Sequence, residues 1–578
     1  MSEPGLLLRV LAALLREDHL GLSSRGRPGA APVDGLPRGA WWCAPLPGGR
    51  TAHLPVRPDG FLSEHTVAEP LLVVTGRDGN VHIESTVEGA LAALAPGGDA
   101  DAEAGWAAFA EECRQAGETV RWQETAPARR AAGEGTGYPG LLRYEALAAL
   151  RDHPVHPAGR CRWGMTAGEA ARYAPEYLPR FRLRWTAVPR ERVRFSASFA
   201  DGLPTWWPTP AELGVAGVGE DHVVLPVHPL TADRGGIEVA GPPGPTVRPT
   251  LSTRTVALAG NPSVHWKLPL PTATLGQRNR RTIKPGTLAD GERLHRLLNA
   301  VLDREPGLSA RVLLADETRW ADSDDDRLAV LIRHYPAEVA GDTLVPVAAL
   351  LAPEPETPGR RVFDGLAGAD PLSWFDGYLS VLLDWHVALW LRYGIALEAH
   401  QQNITIVQGA AGIRLVYKDN DSGRVDRAHA SAALGVPVRA GDFADRRITG
   451  AGPEDLADLF TTITLHLCVA AIVVEETSGD RRRRDELFDL ARTRIEEAAR
   501  RWCDPTDPAS RRAAAALRTR VLDAGRLPVK AMVTAGTLLP KDRLGCTDIN
   551  KYYLRTGPNY LAGAGIRSVP ASSERSSS

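Results

Sequence analysis

Two short polar clusters, separated and flanked by apolar runs, constrain the fold of this chain more than any other feature of its sequence. Glu398-Ala-His-Gln-Gln-Asn403 is followed, sixteen residues after its asparagine, by Asp419-Asn-Asp421. Ile404-Thr-Ile-Val407 leaves the first cluster and Arg414-Leu-Val-Tyr417 leads into the second, which predicts two strands joined by a turn. The His, Asn and Asp side chains would then lie at adjacent strand ends.

An Asn amide and a carboxylate at adjacent strand ends can share a hard cation such as Mg²⁺, because this ion prefers oxygen ligands and usually bridges phosphates in proteins. The two clusters therefore favour a nucleotide site. The alternative is a hairpin whose ends are polar without a function.

The length of the chain, 578 residues, is too great for one compact core, so about two to four domains are expected. Two stretches rich in residues that break helices and strands predict the boundaries: Arg129-Arg-Ala-Ala-Gly-Glu-Gly-Thr-Gly137 and Pro353-Glu-Pro-Glu-Thr-Pro-Gly359. We therefore predict domains at residues 1–140, 141–365 and 366–578.

The composition argues against several classes of partner and site. The net charge is −2, so no basic excess is available to neutralise nucleic-acid phosphates. The cysteines contain no Cys-x-x-Cys pair, which argues against a disulfide framework or a zinc site and favours a reducing cytoplasm. The cysteines are Cys43, Cys113, Cys161, Cys468, Cys503 and Cys546.

The N-terminal apolar run, Leu6–Asp18, contains Arg9, ends in two acidic residues and has no small-residue cleavage site. It therefore predicts an amphipathic core helix rather than an export signal. No apolar stretch is expected to reach the roughly 18 to 20 residues that span a bilayer. We expect a soluble cytoplasmic protein with no membrane partner.

Residue patterns predict an α+β fold with mixed sheets and a mostly helical C-terminal part. The clearest predicted strands are Pro70–Thr75, Val223–His228 and Ser263–Leu268. The predicted helices are Val87–Leu94, Gly105–Cys113, Asp290–Leu302, Trp374–Leu391, Asp455–Glu476 and Arg481–Arg501. The polar tail Ser572–Ser578 is expected to be disordered.

A segment rich in histidine and arginine begins at His153-Pro-Val-His156-Pro and continues to Arg160 and Arg162. Its prolines stiffen the backbone, and a rigid donor can stabilise a transition state without reorganising. Two alternatives stay open: metal chelation by the two histidines, although no third ligand follows at a recognisable spacing, or a structural loop. His228, at the end of a predicted strand, is interpreted as a structural histidine.

A second cationic segment contains one lysine and four arginines between residues 254 and 281 and no acidic residue. Hydroxyl groups and planar guanidinium groups can bind one phosphate together, so we predict a pocket for a polyanion, either a nucleotide or a polycarboxylate. The alternative for any single arginine is a solvated surface position. The candidates are Ser252, Arg254, Thr255, Lys267, Thr274, Arg278, Arg280 and Arg281.

The order of these motifs resembles that of one family, the NRPS-independent siderophore (NIS) synthetases, or aerobactin-synthetase-like enzymes. His-Pro-x-His-Pro, Val-His-Pro, Ser-x-Arg-Thr, Lys-Leu-x-Leu, Glu-Ala-His-x-Gln-Asn and an acidic pair occur in that order. The similarity extends from about residue 140 to about residue 565, through Val529-Lys-Ala-Met532 and Gly557-Pro-Asn-Tyr-Leu561. The resemblance implies a hand-like fold of thumb (1–140), fingers (141–365) and palm (366–578), and a homodimer.

The resemblance also implies an ATP- and Mg²⁺-dependent ligase. A carboxylate, with citrate or a citrate derivative as the expected donor, would attack the α-phosphate of ATP to give an acyl-adenylate and pyrophosphate. An amine, hydroxylamine or alcohol would then displace AMP. This chemistry needs no protein nucleophile, and the motifs contain no Ser-His-Asp or Cys-His arrangement. The sequence leaves the nucleophile and its general base open.

On the nucleotide side, the resemblance implies roles for six residues. Ser252, Arg254 and Thr255 match the triplet that grips phosphate. Lys267 matches a lysine near the α-phosphate. His153 and His156 match the His-Pro-x-His motif, of which at least one histidine reaches the nucleotide or the adenylate.

The resemblance also implies residues for the metal and for the carboxylate substrate. Asn403 and Asp419 match residues that contact the nucleotide and its Mg²⁺, with Asp421 as the alternative metal ligand. His400 matches a histidine that contacts the carboxylate substrate. Thr274 and Arg278 fit two substrate-contacting positions, and Arg280 or Arg281 could replace Arg278. The predicted catalytic residues are His153, His156, Lys267, Arg278 and His400. The chain departs from the family at Arg160, where a lysine is usual.

Two other functions compete with this prediction. His-x-x-Asn followed by Asp is also found in kinase-like phosphotransferases. Those enzymes need a Gly-rich loop and an Asp base just before the Asn, whereas Gln401 and Gln402 occupy that position here. A non-catalytic binding protein with an anion pocket is the second alternative, and the intact charged motifs argue against it.

Overall fold

The computed structural model describes residues 3–130, 135–215, 217–546 and 552–562. The predicted tail Ser572–Ser578 and the middle of the predicted boundary loop at 129–137 lie outside the described residues. The α+β fold class predicted from the residue patterns is confirmed by the elements that follow.

The N-terminal region packs helices against a six-stranded antiparallel sheet of order β1-β2-β3-β5-β6, in which β4 pairs with β3. Leu7, Val10, Leu11 and Leu14 are buried, which confirms the amphipathic core helix predicted at the N-terminus. The elements are α1 (Glu3–Arg16), β1 (Arg27–Gly29), β2 (Ala40–Leu46), β3 (Arg50–Pro58), β4 (His65–Val67), β5 (Leu72–Thr75), β6 (Val81–Glu84), α2 (Val87–Ala93) and α3 (Ala100–Gln123).

The central region is built on a seven-stranded sheet of order β7-β11-β12-β13-β16-β15-β9, with β8 and β10 as a separate antiparallel pair. Its elements are α4 (Gly137–Ala148), α5 (Ala167–Tyr173), β7 (Phe181–Arg182), β8 (Arg184–Pro189), β9 (Val193–Phe195), β10 (His222–Val227), α6 (Pro229–Gly235), β11 (Thr246–Pro249), β12 (Thr255–Leu258), β13 (Asn261–Lys267), α7 (Thr287–Arg304), α8 (Pro306–Ser309), β14 (Val312–Leu314), β15 (Asp316–Ser323) and β16 (Ala329–His334).

The C-terminal region is mostly helical and contains a four-stranded sheet of order β14-β20-β19-β17. Its strands are β17 (Thr343–Pro346), β18 (Ile395–Ala396), β19 (Ile404–Gly409), β20 (Gly412–Tyr417), β21 (Arg424–Val425), β22 (Arg526–Lys530) and β23 (Tyr553–Pro558). Its helices are α9 (Val362–Ala367), α10 (Pro371–Tyr393), α11 (Arg427–Leu434), α12 (Arg446–Thr449), α13 (Pro453–Leu459), α14 (Ala471–Glu476), α15 (Arg481–Trp502), α16 (Pro508–Leu517) and α17 (Lys541–Leu544), with π-helical segments at Phe460–Ala470, Arg518–Leu522 and Thr534–Leu538.

Helix α10 is the centre of the largest hydrophobic core and packs against α15 and α16. Tyr378, Trp385, Trp390 and Tyr393 are among the largest fully buried side chains. Because burial of aromatic side chains dominates core energetics, this helix anchors the polar cluster that follows it in the chain.

One segment corrects a prediction about membranes. Pro453–Glu476 is a continuous 24-residue helix whose most apolar window has a mean hydropathy of 1.9, so by length and composition it could cross a bilayer. The expectation that no stretch reaches this length is therefore wrong. Since 89% of that window is buried inside the protein, the segment serves here as a core helix.

The predicted domain boundaries stay a prediction. The largest hydrophobic cluster joins Phe61 and Leu62 to side chains between residues 144 and 561, so it crosses both position 140 and position 365. A second cluster combines the N-terminal region with Val533 and Leu538, and a third belongs to the seven-stranded sheet.

Candidate active site

A cavity of about 380 Å³ lies where the central and C-terminal sheets meet. The β11–β12 loop, the segment 148–162 and the loop 274–282 form one side of it. The two polar clusters that end β18 and β20, the helix residues 462–467 and the segment 529–532 form the other. Ten predicted site residues line it: His153, Ser252, Arg254, Thr274, Arg280, Arg281, His400, Asn403, Asp419 and Asp421.

The loop between β11 and β12 is a tight turn held by its own hydroxyl groups. The Thr250 side chain and backbone N–H both donate to the carbonyl oxygen of Thr255 at 2.9 Å. Thr253 has φ of 64°, in the left-handed region. The Ser252 hydroxyl accepts the Thr255 N–H at 3.0 Å, so this serine both closes the turn and lines the cavity.

Two arginines, Arg254 and Arg281, form what we call the cation wall. Arg254 donates to the carbonyl oxygens of Arg281 (3.1 Å) and Thr282 (3.0 Å), which fixes its guanidinium against the 274–282 loop. The Nε groups of both arginines are buried without a hydrogen-bond partner among the described residues. Burial, followed by repulsion from Arg254, lowers the pKa of Arg281 to about 9. Such unsatisfied buried donors need an explanation, and an anionic ligand supplies one.

Asn403, Asp419 and Asp421 form what we call the acid wall. Strands β19 and β20 are antiparallel and pair Ile404 with Tyr417, and the Lys418 N–H donates to the Asn403 carbonyl oxygen at 3.0 Å. The strand–turn–strand arrangement predicted for the two polar clusters is therefore confirmed. It places Asn403 and Asp419 at the same end of the sheet.

Lys267, at the end of β13, connects the two walls. Its Nζ donates to Asp419, and to Asp421 Oδ2 at 2.8 Å. Arg333 Nη2 lies 3.5 Å from Asp419 Oδ1. Burial opposes ionisation of Asp419, but Lys267, Arg333 and Arg254 hold its pKa well below the usual range. Lys267 belongs to a segment without acidic residues, yet the fold brings two carboxylates to it and places it behind the cavity lining.

His153 and His400 both line the cavity as neutral rings. His153 Nδ1 accepts backbone N–H bonds from Val155 (3.1 Å) and His156 (3.0 Å), and His400 Nδ1 accepts one from Gln402 (3.3 Å). Burial lowers the pKa of His153 well below its ordinary value and that of His400 to about 4. With Nδ1 as acceptor, the ring proton resides on Nε2, so each ring is a hydrogen-bond donor near neutral pH.

Three other predicted residues lie outside the cavity lining, each for a local reason. His156 is fully buried, with Nε2 3.7 Å from Glu112 Oε1; burial raises the pKa of Glu112 to about 7. Thr255 is a buried residue of β12. The Arg278 side chain donates to the Thr537 carbonyl oxygen, because the 274–282 loop packs on the π-helical segment 534–538.

Two charge pairs to which the sequence motifs gave no role support the walls; the first lies outside the motifs, and the second joins residues of two of them. Glu145 accepts from Lys418 Nζ at 2.7 Å and from the Leu251 N–H at 2.7 Å, so it joins the acid wall to the β11–β12 loop. Lys530 donates to Glu398 at 3.2 Å inside the cavity. The sequence signal for the first pair is a charged residue at the end of an apolar strand, as Lys418 is after Leu415-Val-Tyr417.

His228 and Arg160 have structural partners. His228 is fully buried, accepts the Leu230 N–H at 3.1 Å and packs edge-on against aromatic rings, which agrees with a structural role, and its Nε2 has no hydrogen-bond partner among the described residues. Arg160 donates to Asp152 (2.9 Å) and to Gln123 (2.9 Å) at the cavity margin.

The donor set of the acid wall fits Mg²⁺ bound together with a nucleotide. It offers two carboxylates and an amide oxygen, and the part of the chain that the structure describes has no cluster of three His, Cys, Asp or Glu that could hold an ion alone. Mg²⁺ is commonly bound by one or two carboxylates plus substrate phosphates and water, so a site completed by a phosphate ligand suits it.

Comparisons with known proteins agree with the fold and the motifs. The sequence model of the IucA / IucC family matches residues 140–352, and that described as "Ferric iron reductase FhuF-like transporter" matches residues 372–542. The cavity is thus lined from both matched regions. Residues 140–352 therefore carry an IucA/IucC family domain, which confirms the aerobactin-synthetase-like resemblance of the motifs.

Several characterised relatives share about half of their length with this chain. The rhizobactin siderophore biosynthesis protein RhbC of Rhizobium meliloti is 27% identical over 50% of this chain and 55% of its own length. Staphyloferrin A synthase of Staphylococcus aureus is 26% identical over 49% of this chain and 53% of its own length. The spermidine-citrate ligase of Bacillus anthracis is 26% identical over 47% of this chain and 51% of its own length.

Solved structures match the fold along nearly the whole chain. The petrobactin biosynthesis protein AsbB of Bacillus anthracis has a TM-score of 0.74 at 16% identity and covers 97% of this chain and 95% of its own. The ATP-bound aerobactin synthetase IucA of Klebsiella pneumoniae has a TM-score of 0.70 at 19% identity and covers 97% and 100%.

Proposed function

We propose that this protein is a siderophore synthetase that activates a carboxylate with ATP and joins it to an amine, hydroxylamine or alcohol, with release of AMP and pyrophosphate. The observation that carries the proposal is the pairing of the two walls across one cavity. The cation wall presents unsatisfied guanidinium donors, and the acid wall presents carboxylates that suit a phosphate-bound cation. The match of residues 140–352 to the IucA/IucC family model supports the class of reaction.

In the proposed reaction, Arg254 and Arg281 bind the phosphates and the substrate carboxylate, two anions that otherwise repel each other. Holding them together lowers the activation barrier by orientation and by charge neutralisation. A carboxylate oxygen forms a bond to the α-phosphorus as the bond to pyrophosphate breaks. The nucleophile then attacks the carbonyl carbon, loses a proton, and AMP leaves with the former carboxylate oxygen.

Within this proposal, Asn403, Asp419 and Asp421 would hold Mg²⁺, which supplies positive charge to the phosphate oxygens. The neutral rings of His153 and His400 donate hydrogen bonds to anionic groups and do not need to exchange protons. Lys267 compensates the acid wall from behind and leaves it able to accept the metal.

Citrate or a citrate derivative is the proposed acyl donor. Six arginines lie on the 148–162 and 250–282 side of the cavity: Arg151, Arg160, Arg162, Arg254, Arg280 and Arg281. The first three form ion pairs with Glu475, Asp152 and Glu176. Arg254, Arg280 and Arg281 have no ion pair among the described residues, which suits a polycarboxylate. The citrate ligase among the relatives supports this choice.

Product analysis with ATP, Mg²⁺, citrate and hydroxylamine tests the proposal, because hydroxylamine traps an acyl-adenylate whatever the natural nucleophile is. AMP, pyrophosphate and a citryl hydroxamate are expected. AMP formed only with a different acid would change the proposed donor. ADP and phosphate would favour a kinase-like phosphotransferase, and no turnover with any acid would leave a binding role.

A further inference from the structure

We propose that Glu317 and Arg333, which lie behind the acid wall, are positioning residues that fix the Asp419 carboxylate for binding of a divalent cation with a nucleotide. The inference rests on the proposed function and deepens it, because it assigns residues outside every motif to the same site.

The backbone of Asp419 is held in an unfavourable conformation by Glu317. Asp419 has φ of 65°, a left-handed conformation that is unfavourable for a residue other than glycine. The Glu317 carboxylate accepts the Asp419 N–H at 2.7 Å and the Asn420 N–H at 3.2 Å. Two consecutive N–H groups bound to one buried carboxylate stabilise this turn, since surrounding contacts must over-determine such a conformation.

A β-bulge directs Glu317 toward the acid wall. The register between β15 and β16 shifts between Asp316 and Arg319, and Glu317 lies inside that shift. Bulges re-aim side chains and are common beside active sites. Glu317 is 3% exposed although it lies on a strand, so its charge needs a buried partner.

Arg333 is that partner, and it also faces Asp419. Its Nε donates to Glu317 Oε1 at 2.5 Å. Its Nη2 lies 3.5 Å from Asp419 Oδ1 and is buried without a hydrogen bond to any described residue. One guanidinium therefore neutralises Glu317 and directs a second donor at the Asp419 carboxylate.

Asp421 lacks this support among the described contacts. Its carboxylate accepts from Lys267 and from the neighbouring Ser422 hydroxyl at 3.0 Å. The buried pair thus distinguishes the two acids of the wall: Asp419 is fixed in backbone and side chain, and Asp421 is held by its side chain alone.

The test is binding of Mn²⁺ together with a non-hydrolysable ATP analogue. Mn²⁺ binding is measured from the protein-dependent change in the Mn²⁺ electron paramagnetic resonance spectrum, with a protein-free sample at the same analogue concentration as the reference. Binding of the analogue itself is measured in parallel by equilibrium dialysis. Mn²⁺ suits the same carboxylate and water ligands as Mg²⁺. Loss of an outer-shell partner typically costs about 10- to 100-fold in metal affinity, so E317Q is expected to weaken Mn²⁺ binding by that factor.

Asp322→Asn is the matched control. Asp322 is a buried carboxylate on the same strand, β15, which also accepts from an arginine (Arg194, 2.8 Å) and from a backbone N–H (Gly286, 3.1 Å). D322N should lose stability in a thermal melt as E317Q does, and yet bind Mn²⁺ as the wild type does. If E317Q does not fold, Mn²⁺ binding is measured in R333K instead. This variant keeps the positive charge beside Glu317 and loses the guanidinium donor that faces Asp419.

Weaker Mn²⁺ binding in E317Q or R333K, with D322N unchanged, supports the inference. A wild type that binds the Mn²⁺–nucleotide pair and a folded variant that binds it equally well would overturn the inference and leave the proposed function standing. A wild type that binds no nucleotide would overturn both.

Discussion

The two walls of the cavity hold their charges by opposite means. In the cation wall, Arg254 bonds to neutral carbonyl oxygens, and among the described residues it has no direct ion pair and no hydrogen-bond partner for its Nε. In the acid wall, Asp419 contacts Lys267 and Arg333. Under the proposed function, the cation wall can bind an anion directly, whereas Asp419 and Asp421 must give up part of their contact with Lys267 to bind a metal ion.

Lys267 makes the two walls interdependent. It extends from the seven-stranded sheet that also carries the β11–β12 turn, and it bonds to both acids of the other wall. Removing one partner of a buried ion pair is costly, by about 3–5 kcal/mol, because the other charge is left uncompensated. Substitutions in either wall therefore act on binding and on local structure together, and each needs a conservative control.

The largest effect is expected from breaking the cation wall with Arg254→Ala. Loss of a preorganised donor to a developing charge costs about 10²- to 10³-fold in turnover, and this change removes a whole guanidinium. The rate of AMP release with saturating citrate measures it. R254K keeps the charge and should retain more activity than R254A. Near-normal turnover in R254A would contradict the role of the cation wall.

A smaller effect separates the two acids of the acid wall. Asp419→Asn is expected to raise the Mg²⁺ concentration needed for half-maximal activity by more than Asp421→Asn does, because Asp419 is the acid held in both backbone and side chain. Metal-site changes of this kind cost about 10- to 100-fold in affinity. The reverse order would make Asp421 the main ligand.

His400→Ala is expected to act on the carboxylate substrate and to leave the nucleotide unaffected. The ring is a neutral donor at the cavity surface, and loss of a hydrogen bond to a charged group costs about 1.5–3 kcal/mol, or roughly ten- to a hundredfold in KM for citrate. Separate titrations of citrate and of the ATP analogue measure the two affinities. H400Q, which keeps an N–H donor, is the control, and an equal loss for both ligands would contradict the assignment.

The smallest effect concerns stability, through His466 in the cavity lining. His466 bonds to the Tyr560 hydroxyl and the Pro528 carbonyl oxygen at 2.8 Å each, and burial lowers its pKa to about 4. In the unfolded chain, His466 is protonated below about pH 6.5, whereas in the folded protein it stays neutral down to about pH 4. The free energy of unfolding should therefore decrease as the pH is lowered from 6.5 to about 4.

H466Q tests this dependence, because glutamine can make both bonds and does not titrate. The pH slope of the unfolding free energy in that window should decrease by about 1.4 kcal/mol per pH unit relative to the wild type, measured by urea denaturation. Identical slopes in the two proteins would show that His466 takes up its proton in the folded state at the same pH as in the unfolded state, which would contradict the lowered pKa.

Much of the site could be predicted from sequence because its residues lie in short motifs at strand ends. The strand pattern around residues 398–421 predicts the turn that joins β19 and β20, and apolar periodicity predicts α10 and α15. The alternation of apolar and polar residues in β12 and β13 does not indicate that Lys267 contacts Asp419 and Asp421, which lie 152 and 154 residues away in the chain. Glu317 lies in a bulge, 102 residues from the backbone N–H that it binds, and local patterns carry no information on such a register shift.

The most direct test of the account follows the carboxylate oxygen through the reaction. Citrate labelled with ¹⁸O in its carboxylates is supplied with ATP, Mg²⁺ and hydroxylamine, and the ¹⁸O content of the products is measured by mass spectrometry. Adenylation in this cavity predicts one ¹⁸O atom in AMP, because the attacking oxygen stays on phosphorus when the nucleophile displaces it. Unlabelled AMP, or label in inorganic phosphate with ADP as the other product, would contradict the account.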